Sequence, residues 1–353
     1  MIKKTLLIPA AGKSSRFPNM KPKWLLTHPS GQLMIEKVLE SCRFEDYERV
    51  VIIILEEHCK KYEADIILKQ IFQDKLEIVL LEKPTSSAAE TVYRAITKAD
   101  IKGRIVIKDS DCVVECDKIP EDNFIVGLRV HSKSDIERLQ EKSFIIKNDD
   151  NIIVDIVEKE LVSNTVCLGV YSLQAEQFCK AYTSIIDNDV YKHKNELYVS
   201  HIVSYLIVCE EVVFEYVEAT NFIDWGTKTE WYKELDKHRT YIFDIDGVLL
   251  YNCGKYGTKN WETYFDPITE NIEVLKKISD SGCEIIFMTA RPEEYLEEFR
   301  NFLEREDIKY KTIISGCNHG RRIIVNDFAP TNPYPSCESI SIKRNDFLGG
   351  YLT

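Results

Sequence analysis

The sequence predicts an α/β protein built from two units in tandem, each an open sheet with helices on both faces, a three-layer α/β/α arrangement. Three observations predict it. A length of 353 residues corresponds to two domains at about 150 residues each. Short apolar, β-branched runs alternate with helical patterns, which is the signature of an α/β sheet. After residue 239 the strand pattern starts again with a new apolar run.

The elements follow in order. Strands are expected over residues 5–9, 50–55, 77–81, 104–108, 124–130, 165–171 and 212–217. Several of these runs are near-continuous rather than alternating, as strands buried on both faces should be. Helices are expected over 33–42 and 86–99, the second with Ser87 and Glu90 spaced as a capping box. Residues 230–239 are polar and helix-compatible, with Trp231, Tyr232 and Leu235 their large apolar groups. The division is placed near 236–239, giving units 1–237 and 238–353. In the second unit, strands are expected over 240–245, 284–288, 312–314, 323–325 and 339–342. A helix over 293–306 puts Leu296, Phe299, Phe302 and Leu303 on one stripe. No low-complexity linker and no fixed-period repeat is found, so the units are expected to abut.

Composition removes other classes. Apolar residues make up 44% and charged residues 29%, with 14 Gly and 11 Pro, which excludes collagen-like, disordered and coiled-coil chains. Lys and Arg number 46 against 58 Asp and Glu, a net charge of −12. A nucleic-acid partner is not expected, because backbone binding needs a basic footprint. Small anions remain open to it through a local basic loop or a helix N-terminus. The 11 cysteines show no C-x-x-C or H-E-x-x-H spacing, and Cys167, Cys179 and Cys209 sit inside apolar runs. A reducing cytoplasmic setting is expected. No apolar run approaches the ~18 residues of a membrane span. The opening Met1-Ile2-Lys3-Lys4 and the apolar stretch to Ala11 are too short for a signal peptide.

The first constellation follows the first strand. Leu6-Leu7-Ile8-Pro9 runs into Ala10-Ala11-Gly12-Lys13-Ser14-Ser15-Arg16-Phe17-Pro18, then Lys21-Pro22-Lys23-Trp24-Leu25-Leu26. Small residues after a strand let backbone N–H groups approach a ligand, and the cations suit a polyphosphate. Strand–A-A-G-x-x-S-R-F followed by P-K-x-L-L resembles the signature loop of nucleotidyltransferases that activate sugar, polyol or choline phosphates. The resemblance implies a GT-A-like, Rossmann-like sheet. It implies that Arg16 and Lys23 stabilise charge on the α-phosphate, and that Ala11, Gly12, Lys13, Ser14 and Ser15 wrap the triphosphate. Thr85-Ser86-Ser87-Ala88-Ala89-Glu90 resembles the base-contacting segment, which assigns Ser86 and Ser87 to the nucleotide. Ile105 to Asp111 resembles the strand that ends in a metal carboxylate, with Asp111 favoured and Asp109 the alternative. Phe222-Ile223-Asp224-Trp225-Gly226-Thr227 resembles the region of the second carboxylate, although here the Trp follows the Asp. Two Asp on one Mg²⁺ beside a cationic loop suit attack of a phosphate oxygen on the α-phosphorus. Glu158, Lys159 and Gly169 fall where the family often binds the phosphosugar. The resemblance covers about residues 1–235. Ala-Ala-Gly in place of the usual A-G-G-x-G-T-R favours CTP.

The second constellation is Tyr241-Ile242-Phe243-Asp244-Ile245-Asp246-Gly247-Val248-Leu249. Alternate residues on a strand share a face, so both carboxylates point one way. Two like charges placed together call for a cation or a shared proton. One Asp can attack phosphorus and the other can move the proton. The segment resembles D-x-D-G-[TV] of the haloacid dehalogenase superfamily of phosphatases. Thr289 at the end of residues 284–289, then Arg321-Arg322, then Asn326-Asp327 after residues 323–325, follow in the family's order. The resemblance implies Asp244 as nucleophile, Asp246 as general acid and base, and Thr289 with Arg322 or Arg321 on the phosphate. It implies Asp244, Asp246 and Asp327 around Mg²⁺. Arg291-Pro292 is a further lining candidate. Asn326 stands where many members have an acid. About 45 residues separate Asp244 from Thr289, and about 38 separate Thr289 from Asp327. Neither interval holds a cap domain, and residues 251–266, with Tyr251, Tyr256, Trp261, Tyr264 and Phe265, make only a flap. An open site calls for a large substrate, a neighbouring subunit or the partner domain to exclude water, so a homodimer is one expectation. The turn Asn332-Pro333-Tyr334-Pro335 lies after the last of these motifs.

Together these readings give a bifunctional enzyme. It moves a nucleotidyl group, cytidylyl for preference, onto a sugar or polyol phosphate, and it hydrolyses a phosphate monoester. The resemblance implies bacterial surface-polysaccharide precursor synthesis as the setting. Two alternatives stand beside it: a second unit that binds without hydrolysing, and a glycosyltransferase using Asp109-Ser110-Asp111 as its metal motif.

Overall fold

The computed structural model of the chain describes residues 2–14, 16–131, 139–188, 196–253, 261–262, 265–327 and 337–352. Ser15, Tyr256, Tyr264 and the turn at 332–335 lie outside the described residues. The chain forms two compact units, Met1–Lys228 and Thr229–Thr353.

The first unit runs β1 (Ile2–Pro9), α1 (Met34–Ser41), β2 (Tyr47–Leu55), α2 (Glu56–Tyr62), α3 (Ala64–Phe72), β3 (Glu77–Leu81), α4 (Ala88–Lys98), β4 (Arg104–Lys108), β5 (Cys112–Glu115) and β6 (Phe124–Arg129). It continues with β7 (Ser143–Lys147), β8 (Ile153–Glu158), β9 (Thr165–Gln174), α5 (Ala175–Asp187), α6 (Val199–Glu210), β10 (Glu215–Glu218) and β11 (Asn221–Asp224). The main sheet has the order β10-β6-β9-β4-β1-β2-β3. β1 lies parallel to β2 and β4, β2 to β3, and β6 to β10. β9 is antiparallel to both β4 and β6. The hairpin β7–β8 joins through Phe144 opposite Val166 of β9. β5 and β11 form a separate antiparallel pair.

The expected near-continuous runs are the buried strands. Leu6, Leu7, Ile8, Val51, Ile52, Ile53 and Ile54 are fully buried, as strands covered on both faces require. One cluster joins the helix faces to the sheet, with Val92, Ala95, Phe178, Ile202 and Val203 against Leu7, Val51 and Ile107. The capping box at α4 is half as expected. Ser87 Oγ accepts from the Glu90 amide at 3.1 Å, but the Glu90 carboxylate turns back one residue further, to the Ser86 amide at 2.6 Å.

α2 is held at its start by a histidine. The buried His58 accepts from the Leu55 amide through Nδ1 at 3.4 Å, which only a neutral ring can do. Burial pulls its pKa down to about 4. Because the folded value lies below the unfolded one of about 6.5, the fold selects the neutral ring. That stabilisation is complete above about pH 6.5 and fades as pH falls towards 4. His58→Gln is therefore expected to lose less stability than the parent between pH 6.5 and 4, by a difference on the order of 3 kcal/mol. Urea unfolding of both proteins across that range checks it, and parallel curves would contradict it.

The second unit contains α7 (Lys228–Asp236), β12 (Thr240–Phe243), α8 (Thr269–Asp280), β13 (Glu284–Met288), α9 (Glu297–Arg305) and β14 (Thr312–Ile314). Its sheet is parallel in the order β12-β13-β14. The stripe expected on the helix is buried, with Leu296, Phe299 and Leu303 fully so, against Phe243, Ile245 and Phe287. The polar helix placed at the end of the first unit is α7, and it groups with the second. The Cys283 thiol, just before β13, reaches the carbonyls of Asp236 and Lys237 at 3.8 and 3.5 Å. Two expected strands do not form. Residues 323–325 and 339–342 are outside any strand, and Ile323 and Val325 are 78% and 90% exposed. An apolar run predicts a strand only if a neighbour pairs with it, and here the expected neighbour edge is not joined. Among the described residues, no helix is long and apolar enough to cross a membrane.

Candidate active site

In the first unit the chemistry collects where β1, β4 and β11 end and β5 begins. The register β5–β11 sets Cys112 opposite Asp224, so Asp111 and Asp224 are neighbours although more than a hundred residues apart in sequence. The Trp225 amide donates to the Asp111 carbonyl at 2.9 Å, which ties the two segments together. Gly226 lies between the carboxylates. A Cβ there would stand 2.9 Å from Asp224 Oδ1 and 3.3 Å from Asp111 Oδ2. Each carboxylate carries a cation: Lys23 Nζ donates to Asp111 Oδ2 and Lys142 Nζ to Asp224 Oδ2. Burial pushes the Asp111 carboxyl up, but Lys23 beside it, with Lys142 and Lys108, brings it below its ordinary range.

Asp109 differs. Burial first, and the negative Asp111 second, raise its carboxyl to about 6. It packs against Gly169 of β9, whose backbone has φ +71°, and a Cβ on that glycine would stand 2.1 Å from Asp109 Oδ2. The Asp109 amide donates to the Gly169 carbonyl at 3.0 Å. Gly169 therefore makes room for an aspartate. Lys108 is wholly buried and donates to the carbonyls of Asp109 and Cys112 at 2.9 and 2.6 Å, which fixes the turn that carries Asp111.

The loop after β1 is open. Gly12 has open space where a Cβ would be, and Lys13 is exposed. Ala11 is buried. Ser14 has φ +48° and its carbonyl accepts from the Phe17 amide at 2.8 Å. The half-exposed Arg16 pairs with Glu141 at 3.5 Å. Ser86 is exposed, whereas the Ser87 hydroxyl is engaged as the α4 cap. Glu158 accepts from Ser143, across the β7–β8 hairpin, and from Ser200 at 2.5 Å. Lys159 donates to the Tyr198 hydroxyl and lies 4.2 Å from that ring's centre. Sequence reasoning missed Lys142. It carries no motif, and it reaches Asp224 only because the β7–β8 hairpin brings it there. The signal available was its place beside Ser143, which pairs with Glu158.

The donor chemistry at Asp111 and Asp224 fits Mg²⁺. Two hard carboxylate oxygens share one small space opened by a glycine, each beside a lysine ammonium.

In the second unit, Asp244 follows β12 and opens to solvent, its Oδ1 accepting from the Ile245 amide at 2.9 Å. The protein packed around its base raises its proton affinity. The Ile245 amide and the charge of Arg322 oppose this, Asp246 adds to it, and His319 opposes it. Thr289 is fully buried after β13, with its amide on Ile314 and its carbonyl on the Cys317 amide, each at 2.9 Å. Arg322 folds back, donating to the Asn318 and Gly320 carbonyls at 3.1 and 2.9 Å, while Arg321 is exposed. His319, which the sequence reading did not single out, lies near Asp244 and parallel to Trp261 at 6.3 Å. The expected metal set is not assembled. Among the described residues Asp244, Asp246 and Asp327 form no close cluster of donors. Asp246 gives both oxygens to Arg291, and Asp327 lies in the exposed stretch 321–327.

No protein-family model matches the sequence, and no curated protein matches it. Solved structures do resemble it. The nucleoside-diphosphate-sugar pyrophosphorylase from Vibrio cholerae RC9 is 20% identical with a TM-score of 0.56, covering 65% of this chain and 99% of that one. A UDP-glucose pyrophosphorylase complexed with UDP-glucose is 14% identical with a TM-score of 0.51, covering 66% of this chain and 97% of its own. The inositol-1-phosphate CTP transferase from T. maritima is 12% identical, also with a TM-score of 0.51, covering 67% and 96%. About two thirds of this chain thus has the mixed α/β fold of nucleotide-sugar pyrophosphorylases.

Proposed function

We propose that the first unit transfers a nucleotidyl group from a nucleoside triphosphate to a sugar or polyol phosphate. The observation that carries this reading is the Lys23–Asp111 and Lys142–Asp224 cluster below an open, cationic loop. Proteins of the same fold, named for that chemistry, support it. An oxygen of the acceptor phosphate forms the new bond to the α-phosphorus. The bond to the β-phosphate oxygen breaks, and pyrophosphate leaves with the electron pair. Gly12 lets the backbone approach the triphosphate, Lys13 and Arg16 meet its charge, and Lys23 leaves Asp111 for the α-phosphate. Lys142, held beside Asp224, is assigned to the acceptor phosphate. Asp111 and Asp224 would hold Mg²⁺, which when bound would supply charge neutralisation in the transition state. CTP is the favoured donor, on Ala10-Ala11-Gly12.

For the second unit we propose Mg²⁺-dependent hydrolysis of a phosphate monoester in the same pathway, surface-polysaccharide precursor synthesis in a bacterial cytoplasm. The Asp244 oxygen attacks phosphorus as the ester oxygen leaves and takes a proton from Asp246. Water then attacks the phosphorus of the aspartyl-phosphate and gives a proton to Asp246, while the bond to the Asp244 oxygen breaks and orthophosphate leaves. Thr289 and Arg322 meet the phosphoryl oxygens. A second reading, a unit that binds without hydrolysing, is favoured by one observation: residues 323–325 do not join the sheet that would carry Asp327 to the site.

The test is a panel of sugar and polyol phosphates with each of CTP, UTP, ATP and GTP and Mg²⁺, reading pyrophosphate and orthophosphate separately. Pyrophosphate with CTP is expected. Nucleoside diphosphate release in its place would turn the reading towards a glycosyltransferase, and silence across the panel would remove it. Orthophosphate from no ester would leave the second unit a binding module.

A further inference from the structure

The lysines of the first unit's site differ in what holds them. Lys23 and Lys142 each give Nζ to a carboxylate, Asp111 and Asp224. Lys159 is the neighbour of Lys142 across the open end of the β7–β8 hairpin, its amide donating to the Lys142 carbonyl at 3.0 Å. Its Nζ donates to the Tyr198 hydroxyl, and among the described residues it forms no ion pair. A neutral hydroxyl occupies one of the three ammonium donors and leaves the charge uncompensated. Lys159 is exposed, so an anion at the hairpin end has access to that charge.

Tyr198 is itself built in. It stands just before α6, and its amide donates to Nδ1 of the buried His201 at 3.1 Å, with the two rings edge-on at 5.5 Å. Its hydroxyl gives its one proton to Glu196 Oε2 at 2.8 Å and so meets Lys159 with a lone pair. α6 ties β8 down at two further points. Ser200 Oγ donates to Glu158 Oε2 at 2.5 Å, and Ser204 Oγ to Asp155 Oδ1 at 2.7 Å. Lys159 has φ +59°, a backbone seldom adopted by residues with a Cβ. The chain is thus fixed at two successive residues, Glu158 by Ser200 and Lys159 by Tyr198. A lysine on a flexible four-carbon stem gives up less freedom to a ligand when it is already held.

Resting on the nucleotidyl-transfer reading, we propose that Tyr198 is the positioning residue that presents Lys159 to the acceptor phosphate. The triphosphate is assigned to the loop after β1, whereas Lys159 lies beside Lys142 at the hairpin. Tyr198 acts through Lys159 and on no reacting atom. Loss of its hydroxyl therefore weakens acceptor binding and leaves the chemical step alone, which appears in KM and not in kcat.

The experiment measures pyrophosphate release by the full chain with Mg²⁺ and whichever of CTP, UTP, ATP and GTP the parent uses. The acceptors are glucose 1-phosphate, myo-inositol 1-phosphate and glycerol 3-phosphate. The parent is compared with Tyr198→Phe, Lys159→Gln and the double variant. Tyr198→Phe is expected to raise the acceptor KM about 10-fold, the scale of one hydrogen bond to a charged group, with kcat and the nucleotide KM within about 2-fold. The double variant should match Lys159→Gln alone, because the two residues act as one unit. A Michaelis constant does not depend on how much of the protein is folded, so a loss of fold cannot imitate this pattern. An unchanged acceptor KM in Tyr198→Phe, a rise in the nucleotide KM in its place, or losses that multiply in the double variant would overturn the positioning role while transfer persists. A parent that releases no pyrophosphate with any of these acceptors would overturn the nucleotidyl-transfer reading, and this inference with it.

Discussion

Asp244→Asn is expected to lower phosphate monoester hydrolysis by about 10⁴-fold or more while nucleotidyl transfer stays within about 2-fold of the parent. The reason is chemical. An amide oxygen cannot form the acyl phosphate, so the two-step route closes at its first bond. The substitution keeps the size of the side chain, and Asp244 stands open to solvent at the end of β12, so the fold loses little. Each compact unit carries its own candidate groups, Asp111 and Asp224 in one and Asp244 and Thr289 in the other. Separate assays of pyrophosphate and orthophosphate on one preparation check the result. Equal loss of both activities would argue against two sites.

The second large effect separates two neighbouring aspartates. Asp111→Asn is expected to lower nucleotidyl transfer by about 10³-fold or more, the scale of losing a central electrostatic group. Asp109→Asn is expected to lower it by only about 10-fold. Both carboxyls are desolvated, but their neighbours act in opposite directions. Lys23 donates to Asp111 and keeps it ionised. Asp109 lies against Gly169 and rises to about 6, so it is the weaker of the two charges. Steady-state rates with saturating nucleotide and a titration of Mg²⁺ check this, with the half-saturating Mg²⁺ concentration rising in Asp111→Asn. The reverse ranking would move the metal role to Asp109.

Much of this was legible in the sequence, for a reason seen in particular strands. β3, β4, β13 and β14 fall on their expected bounds because their apolar, β-branched runs are bounded by polar or turn residues. β5 and β11 were not read, since four residues each leave no period to count. β7 and β8 were not read either. Their alternation is interrupted, as at the register shift between Ile146 and Lys147. The run 323–325 misled, because hydrophobicity reports a wish for burial and not the partner that provides it. At the site, Asp111, Asp224 and Lys23 were legible because each sits in a motif with a recognisable local pattern. Lys142 was not, because what gives it a place is a hairpin and not a spacing.

Strand β9 carries a consequence for how the first unit assembles. It is the hydrogen-bonded bridge between β4 and β6, and so between the β3-β2-β1-β4 side and the β6-β10 side. β4 and β6 are both made before β9 leaves the ribosome. Until residue 174 is available, each presents an open edge of unpaired amides and carbonyls, the kind of edge that recruits other chains. Closure by β9 is a long-range step of the slow kind. A nascent chain stalled before this strand is therefore a client for chaperones, and it becomes a self-contained sheet only once the two sides are stitched.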